Sequence, residues 1–275
     1  MCLVISLILS VGLATVGNGP QGSDKPVERL AAMRAFADGV TMEQTSGNVR
    51  RTLERLAEPI YRFDDPARRN SDGTVWAWGR SGRPAAVLTL SKYRSPEGRY
   101  RWLAELTSLA PGAISATVQG NGAWQPSGAG VLMQKFPKAP LPAEDATKRL
   151  RQMKELVRQI RAYELFKPRD HPSLERYELR VLPQPVHRYA DANSGLIDGG
   201  MFIITYGLNP EVVLLVEARR GGSSEVQEWY CGFGRIAIAE IHVHFDNKEI
   251  WSHKGGNSRR PDDTYLIFTR PVDGE

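Results

Sequence analysis

The sequence predicts an α+β fold of two tandem repeats, each one amphipathic helix followed by a roughly six-stranded antiparallel meander. The two meanders are able to join into one curved sheet. Three observations carry this expectation. Apolar residues recur at three- and four-residue spacing in two places, Val27, Leu30, Met33, Ala37 and Val40, then Leu150, Met153, Val157, Ile160 and Tyr163. Short β-rich runs bounded by Gly, Pro and Asp follow each helix. The two stretches also match at a fixed offset of 126: Pro59 with Pro185, Arg62 with Arg188, Asp65 with Asp191, Asp72-Gly73 with Asp198-Gly199, Pro84 with Pro210, and Val87-Leu88 with Val213-Leu214. A fixed period of this kind is read as a repeat before anything else.

Each element follows from local chemistry. The first helix has Asp24 and Pro26 as start signals, and the second has Asp145 or Thr147. The first meander reads as strands over 60–63, 73–79, 85–93, 100–109, 114–119 and 130–136. The second reads over 186–189, 200–206, 211–219, 226–236, 239–245 and 264–270. Gly82-Arg83-Pro84 and Leu208-Asn209-Pro210 read as turns. Downstream the offset becomes 127, pairing Trp102 with Trp229 and Trp124 with Trp251. The closing segments, Val131 to Pro137 and Tyr265 to Pro271, agree in character. A meander with one apolar face cannot stand alone in water, and the amphipathic helix is its natural cover.

The organisation expected is a signal peptide at 1–20, a first repeat at 24–137, a Pro-rich linker at 138–145 and a second repeat at 146–271. Residues 1–22 carry no charge, and Cys2 to Val16 is an apolar run followed by Gly17, Gly19 and Pro20, the pattern of a secretory leader. The expected destination is the periplasm or the extracellular space. No later apolar run reaches the 18 residues a membrane span needs. The chain has 2 cysteines, and only Cys231 lies beyond the leader, so no intrachain disulfide is expected in the mature form. A net charge of +5 on 275 residues is too dilute for a dedicated nucleic-acid binder.

The sharpest chemical pattern is Glu240, His242, His244 and Asp246, which alternate along one strand and so share a face. Two imidazoles and two carboxylates in that array could ligate zinc or another divalent ion. The same alternation also describes an ordinary solvent face, with Ile241, Val243 and Phe245 turned inward. The counterparts Ala113, Ser115, Thr117 and Gln119 favour that second reading, since none of them can ligate zinc. A basic segment at 148–169, with Lys148, Arg151, Lys154, Arg158 and Arg161, offers a surface for an acidic polymer or an anionic membrane. Trp76 and Trp78 share a face and could form an exposed stacking platform for a sugar or peptide. Cys231 reads as a small buried hydrophobe. No phosphate loop, nucleophile elbow or His-Glu-x-x-His appears, and no cofactor is expected.

The pattern of Pro59 to Phe63, Asp72-Gly73, Gly82-Arg83-Pro84, Trp124 and the helix Arg149-Leu150-Arg151-Gln152-Met153 resembles a group of exported proteins from planctomycete-type bacteria. The resemblance implies no activity and carries over no catalytic residue. The leading expectation is an exported, non-enzymatic binding or interaction protein, with a protein, peptide or polysaccharide as ligand. The alternatives are a divalent-metal-dependent enzyme built on His242, His244 and Asp246, and an envelope protein attached through the basic segment.

Overall fold

The computed structural model describes residues 25–272 apart from 48, 66–69, 96, 168–172 and 221–225. The expected leader at 1–20, Asp24 and Arg169 lie outside the described residues. The balanced α+β expectation is overturned. The chain is mostly β, with 53% strand against 12% helix, and its largest sheet curls into a half-barrel. Two regular pairs of helix and meander are not what forms.

The first half runs α1 (Pro26–Asp38), β1 (Val40–Ser46), β2 (Val49–Leu53), β3 (Tyr61–Asp65), β4 (Asn70–Trp78), β5 (Ala86–Arg94), β6 (Tyr100–Ser108), β7 (Ile114–Val118), β8 (Gly122–Trp124) and β9 (Gln134–Lys135). The second runs α2 (Ala146–Val157), β10 (Ile160–Phe166), β11 (Glu175–Val181), β12 (His187–Asp191), β13 (Leu196–Tyr206), β14 (Asn209–Arg220), β15 (Gln227–Arg235), β16 (Glu240–Phe245), β17 (Lys248–His253) and β18 (Tyr265–Pro271). The helices are shorter than their sequence periodicity implies. Val40 opens β1 and is not the last turn of α1. Ile160 and Tyr163 lie on β10 and are not on α2. The expected basic helix at 148–169 is therefore a helix to Val157, a turn, and then a strand.

Pro26 stands at the first helical position of α1, where its missing N–H costs nothing. Asp145 caps α2, its carboxylate accepting from the Lys148 N–H at 2.9 Å.

The strands form three antiparallel sheets, in the orders β2-β1-β7-β8, β18-β6-β5-β4-β3 and β17-β16-β10-β11-β13-β14-β15-β9, with β12 also on β13. The closing strands change places. β9, at the end of the first half, pairs with β15 of the second, and β18, at the end of the second, pairs with β6 of the first. The hydrogen-bonded sheets therefore ignore the boundary that the sequence places at 138–145.

Strand alternation divides the interior into three cores. Trp76, Trp78, Leu88 and Leu90 face α1 and the four-stranded sheet. Phe202, Ile204, Val212 and Leu214 face α2 and the β10–β16 ladder. Their neighbours Val75, Ala77, Val87, Met201, Ile203, Val213 and Leu215 meet in a central core that joins the two main sheets face to face. Phe63 and Tyr189 fill that central core by lying flat on glycines. A Cβ on Gly73 would sit 2.4 Å from the Phe63 ring, and one on Gly199 would sit 2.4 Å from the Tyr189 ring.

Each helix is fixed to its sheet by a buried aspartate. Asp72 accepts from Arg29 of α1 at 2.9 Å and from Arg62 of β3 at 2.6 and 2.9 Å. Asp198 accepts from Arg149 of α2 at 2.8 Å and from Arg188 of β12 at 2.5 and 2.8 Å. Burial would raise the Asp72 carboxyl, but the hydrogen bonds and charges of Arg62 and Arg29 outweigh it and hold the group below its ordinary value.

Candidate functional site

The histidine strand forms a side-chain ladder rather than an open ligand set. His242 places Nδ1 2.7 Å from Glu249 Oε2 and Nε2 3.0 Å from Glu240 Oε1. Burial would lower its pKa, but these two carboxylates outweigh that and raise it above the ordinary histidine value. Both ring nitrogens face carboxylate oxygens, so neither is turned toward an open coordination position. His244 lies 4.0 Å from the same Glu249. Tyr163 stacks under both rings, at 4.7 and 5.7 Å, and the Arg176 guanidinium covers the Tyr163 ring at 3.7 Å. Asp246 is not on the strand. With Asn247 it forms a turn in which both residues have positive φ, 51° and 60°, the geometry of a two-residue hairpin. Its carboxylate pairs with Lys138. Among the described residues no group of three or more His, Cys, Asp or Glu is placed to hold a metal ion.

Trp76 and Trp78 do not form an exposed platform. They are 0% and 1% exposed, because their face of β4 is the one that α1 covers. The Trp76 N–H donates to the Thr74 hydroxyl at 2.9 Å, and the Arg55 guanidinium lies 4.5 Å over the ring. Lys148, Arg151, Arg158 and Arg161 are exposed and Lys154 is half-buried, but they divide between α2 and β10. The apolar stripe of α2, Met153, Leu156 and Val157, is spent on the core. Cys231 is fully buried, and burial pushes its thiol up to about 12, which removes the thiolate a nucleophile needs.

What the fold does assemble is a cleft where the two main sheets meet. Two of its lining arginines are held by Glu217 of β14, a charged residue in the otherwise apolar run Val212 to Ala218. Arg83, from the loop between β4 and β5, crosses the seam and donates Nε and Nη2 to the two Glu217 oxygens at 2.8 Å each. Arg219 donates to the same carboxylate at 2.6 Å and the Tyr189 hydroxyl at 2.9 Å. The carboxylate is 0% exposed, Arg83 9% and Arg219 30%. Burial alone would raise the Glu217 carboxyl, but the two guanidiniums outweigh it and hold the group below its ordinary range. Burial beside that carboxylate raises the Tyr189 hydroxyl well above its ordinary value. Gly82 makes the approach possible. Its φ is +69°, and a Cβ there would lie 3.2 Å from that of Asp191.

The cleft has a volume of about 520 Å³. Arg51, Arg83 and Arg219 line it with Asp191, Glu217 holds two of these arginines from outside the lining, and Val131, Leu132 and Met133 form an apolar wall. Leu132 is 80% exposed. A second hollow of about 290 Å³ shares Gln44, Arg51 and Arg83 with the first and adds Arg80 with Glu54, its ion-pair partner at 3.0 Å. This pairing of positive charge with an apolar wall suits the polar head and apolar body of an organic anion. Sequence reasoning sees Gly82-Arg83-Pro84 only as a turn. The available signal was Glu217 itself, a lone carboxylate in the run Val212 to Ala218. No family model, curated protein or solved structure matches the chain.

Proposed function

We propose that this chain is an exported, non-enzymatic binding protein that holds an organic anion with an apolar body in the Arg51–Arg83–Arg219 cleft. The observation that carries the reading is the buried Glu217. It holds two guanidiniums in fixed positions on the floor of a large open cavity and leaves an excess of positive charge there. Preorganised arginines lose little freedom when they meet a carboxylate or phosphate. Binding fits the chemistry better than proton transfer does. Guanidiniums do not give up protons near neutrality, and Glu217 is locked as an ion. The uncharged apolar leader supports export.

Thermal unfolding with hexanoate, hexyl phosphate and hexanol tests this. A ligand at about a hundred times its Kd stabilises by ~2.7 kcal/mol. For a chain of this size that raises Tm by roughly 5–10 °C. The anions should give this shift, hexanol should not, and Arg51→Gln and Arg219→Gln should each reduce it. Equal shifts with hexanol, or undiminished shifts in both variants, would refute the reading.

A further inference from the structure

The arginine cleft also carries two charges that no partner neutralises. Arg51 of β2 and Asp191 of β12 both line it, and among the described residues neither is in an ion pair. The other charges nearby are matched. Arg83 and Arg219 are bound to Glu217, and Arg80 in the adjoining hollow is bound to Glu54 at 3.0 Å. Asp191 spends Oδ1 on the Asn193 N–H at 3.1 Å, which leaves Oδ2 without a partner. Opposite charges in one cleft pair where their side chains can meet, so the fold holds these two apart.

The remaining polar groups of the lining suit a peptide bond, which has one donor and one acceptor. Gln44 of β1 is the cross-strand neighbour of Arg51, and its amide both donates and accepts. Ser81 adds a hydroxyl, and the Ser194 hydroxyl, which donates to the Asp191 carbonyl at 3.2 Å, still accepts. Val131, Leu132 and Met133 supply the apolar wall. Since a cavity of ~150 Å³ accommodates benzene, the cleft of about 520 Å³ takes roughly twenty heavy atoms, the size of a dipeptide with two apolar side chains.

We propose that the organic anion of this cleft is a short apolar peptide with both ends free, its carboxylate at Arg51 and its ammonium at Asp191. The proposal rests on the anion-binding reading of the cleft and adds the second charge to it. A carboxylate meets a guanidinium through two parallel hydrogen bonds, and an ammonium brings three donors to an open carboxylate oxygen. An anion without an ammonium would instead set its charge against the unpaired Asp191.

Isothermal titration of the full chain tests this with leucyl-leucine, its N-acetyl and C-amide forms, and leucine. The titrations are run at about pH 6.5, where an α-amino group of ordinary pKa about 7.7–8.0 is charged. Leucyl-leucine should bind most tightly. The N-acetyl form lacks the ammonium and the amide form lacks the carboxylate, so each should bind about tenfold or more weakly. Leucine leaves half the cleft unfilled and should also be weaker. Asp191→Asn keeps the Oδ1 acceptor for the Asn193 N–H and so folds. It should weaken leucyl-leucine about tenfold or more and strengthen the N-acetyl form, because the charge it removes repels an anion. A merely structural defect would weaken both. The proposal is overturned if either capped form or leucine binds as tightly as leucyl-leucine, or if Asp191→Asn leaves leucyl-leucine unchanged or weakens both forms alike. Where hexanoate still stabilises the protein in those cases, the anion cleft stands and the peptide alone falls; if no carboxylate binds, both fall.

Discussion

Replacing Arg83 by Met is the most discriminating perturbation of the seam. Met fills much of the same volume, so what is lost is charge and two hydrogen bonds to a carboxylate with no solvent exposure. Removing one member of a buried pair typically costs about 3–5 kcal/mol, because the other charge stays behind without its partner. Here Arg219 and Tyr189 still hold Glu217, which places the loss near the lower end, about 3 kcal/mol. At roughly 2–4 °C per kcal/mol for a chain of this size, Tm should fall by about 6–12 °C. The same change at Arg260, whose pair with Asp262 is exposed on both sides (71% and 56%), should cost less than ~1 kcal/mol. The pH dependence supplies a second readout. The folded Glu217 pKa is depressed, so its contribution is present above the unfolded value and is lost as pH falls through the folded value. With Arg83 gone, burial is opposed by one guanidinium instead of two, so the folded pKa rises toward the unfolded value and the part of the stability that Glu217 loses in acid should be smaller than in the parent. Denaturant unfolding of the parent and both variants from pH 3 to 8 measures this. If Arg83→Met is no more costly than Arg260→Met, or the cost of Arg83→Met is the same at pH 3 as at pH 7, Glu217 is not the electrostatic centre described.

Three further outcomes are expected. Trp76→Ala should cost about 3–5 kcal/mol in chemical denaturation, because the indole is core rather than a ligand platform. Gly73→Ala and Gly199→Ala should each destabilise by about 1–3 kcal/mol, since the new methyl would displace the Phe63 or Tyr189 ring from the central core; calorimetry of each variant checks this. His242→Gln should remove a small stabilisation that the parent shows below pH 6.5 and loses as pH rises through the elevated folded pKa. An NMR titration of His242 should place that pKa above the ordinary value.

Strands with clean apolar alternation were legible in the sequence. The runs expected at 73–79, 85–93 and 100–109 are β4, β5 and β6 within a few residues. β1 and β10 were not read as strands. Val40, Ile160 and Tyr163 fall at helical spacing from the residues before them, so the helix period absorbed the start of each strand. In β10 the inward positions include the buried Glu164, which breaks the apolar alternation that marks a strand. The wrong fold class follows from these omissions, since each missed strand was counted as helix or loop. The site was hidden for a different reason. Arg83, Asp191 and Arg219 are far apart in sequence and meet only because the two main sheets face each other, Arg51 joins them from β2 of the four-stranded sheet, and local spacing carries no trace of that. Glu217, the one carboxylate in the run Val212 to Ala218, was the visible mark of a buried polar centre.

The exchange of β9 and β18 also governs when the molecule can fold. The outer edge of β6 is completed by the last strand of the chain, through contacts such as Tyr265 to Glu105 that span 160 residues. Until β18 is made, β6 presents an open edge, and a loop of those 160 residues must close on it. Neither half can therefore finish on its own during synthesis. The sheet of β9 to β17 is complete once His253 is made, whereas the sheet of β3 to β6 waits for β18, so the first half of the chain finishes after the second.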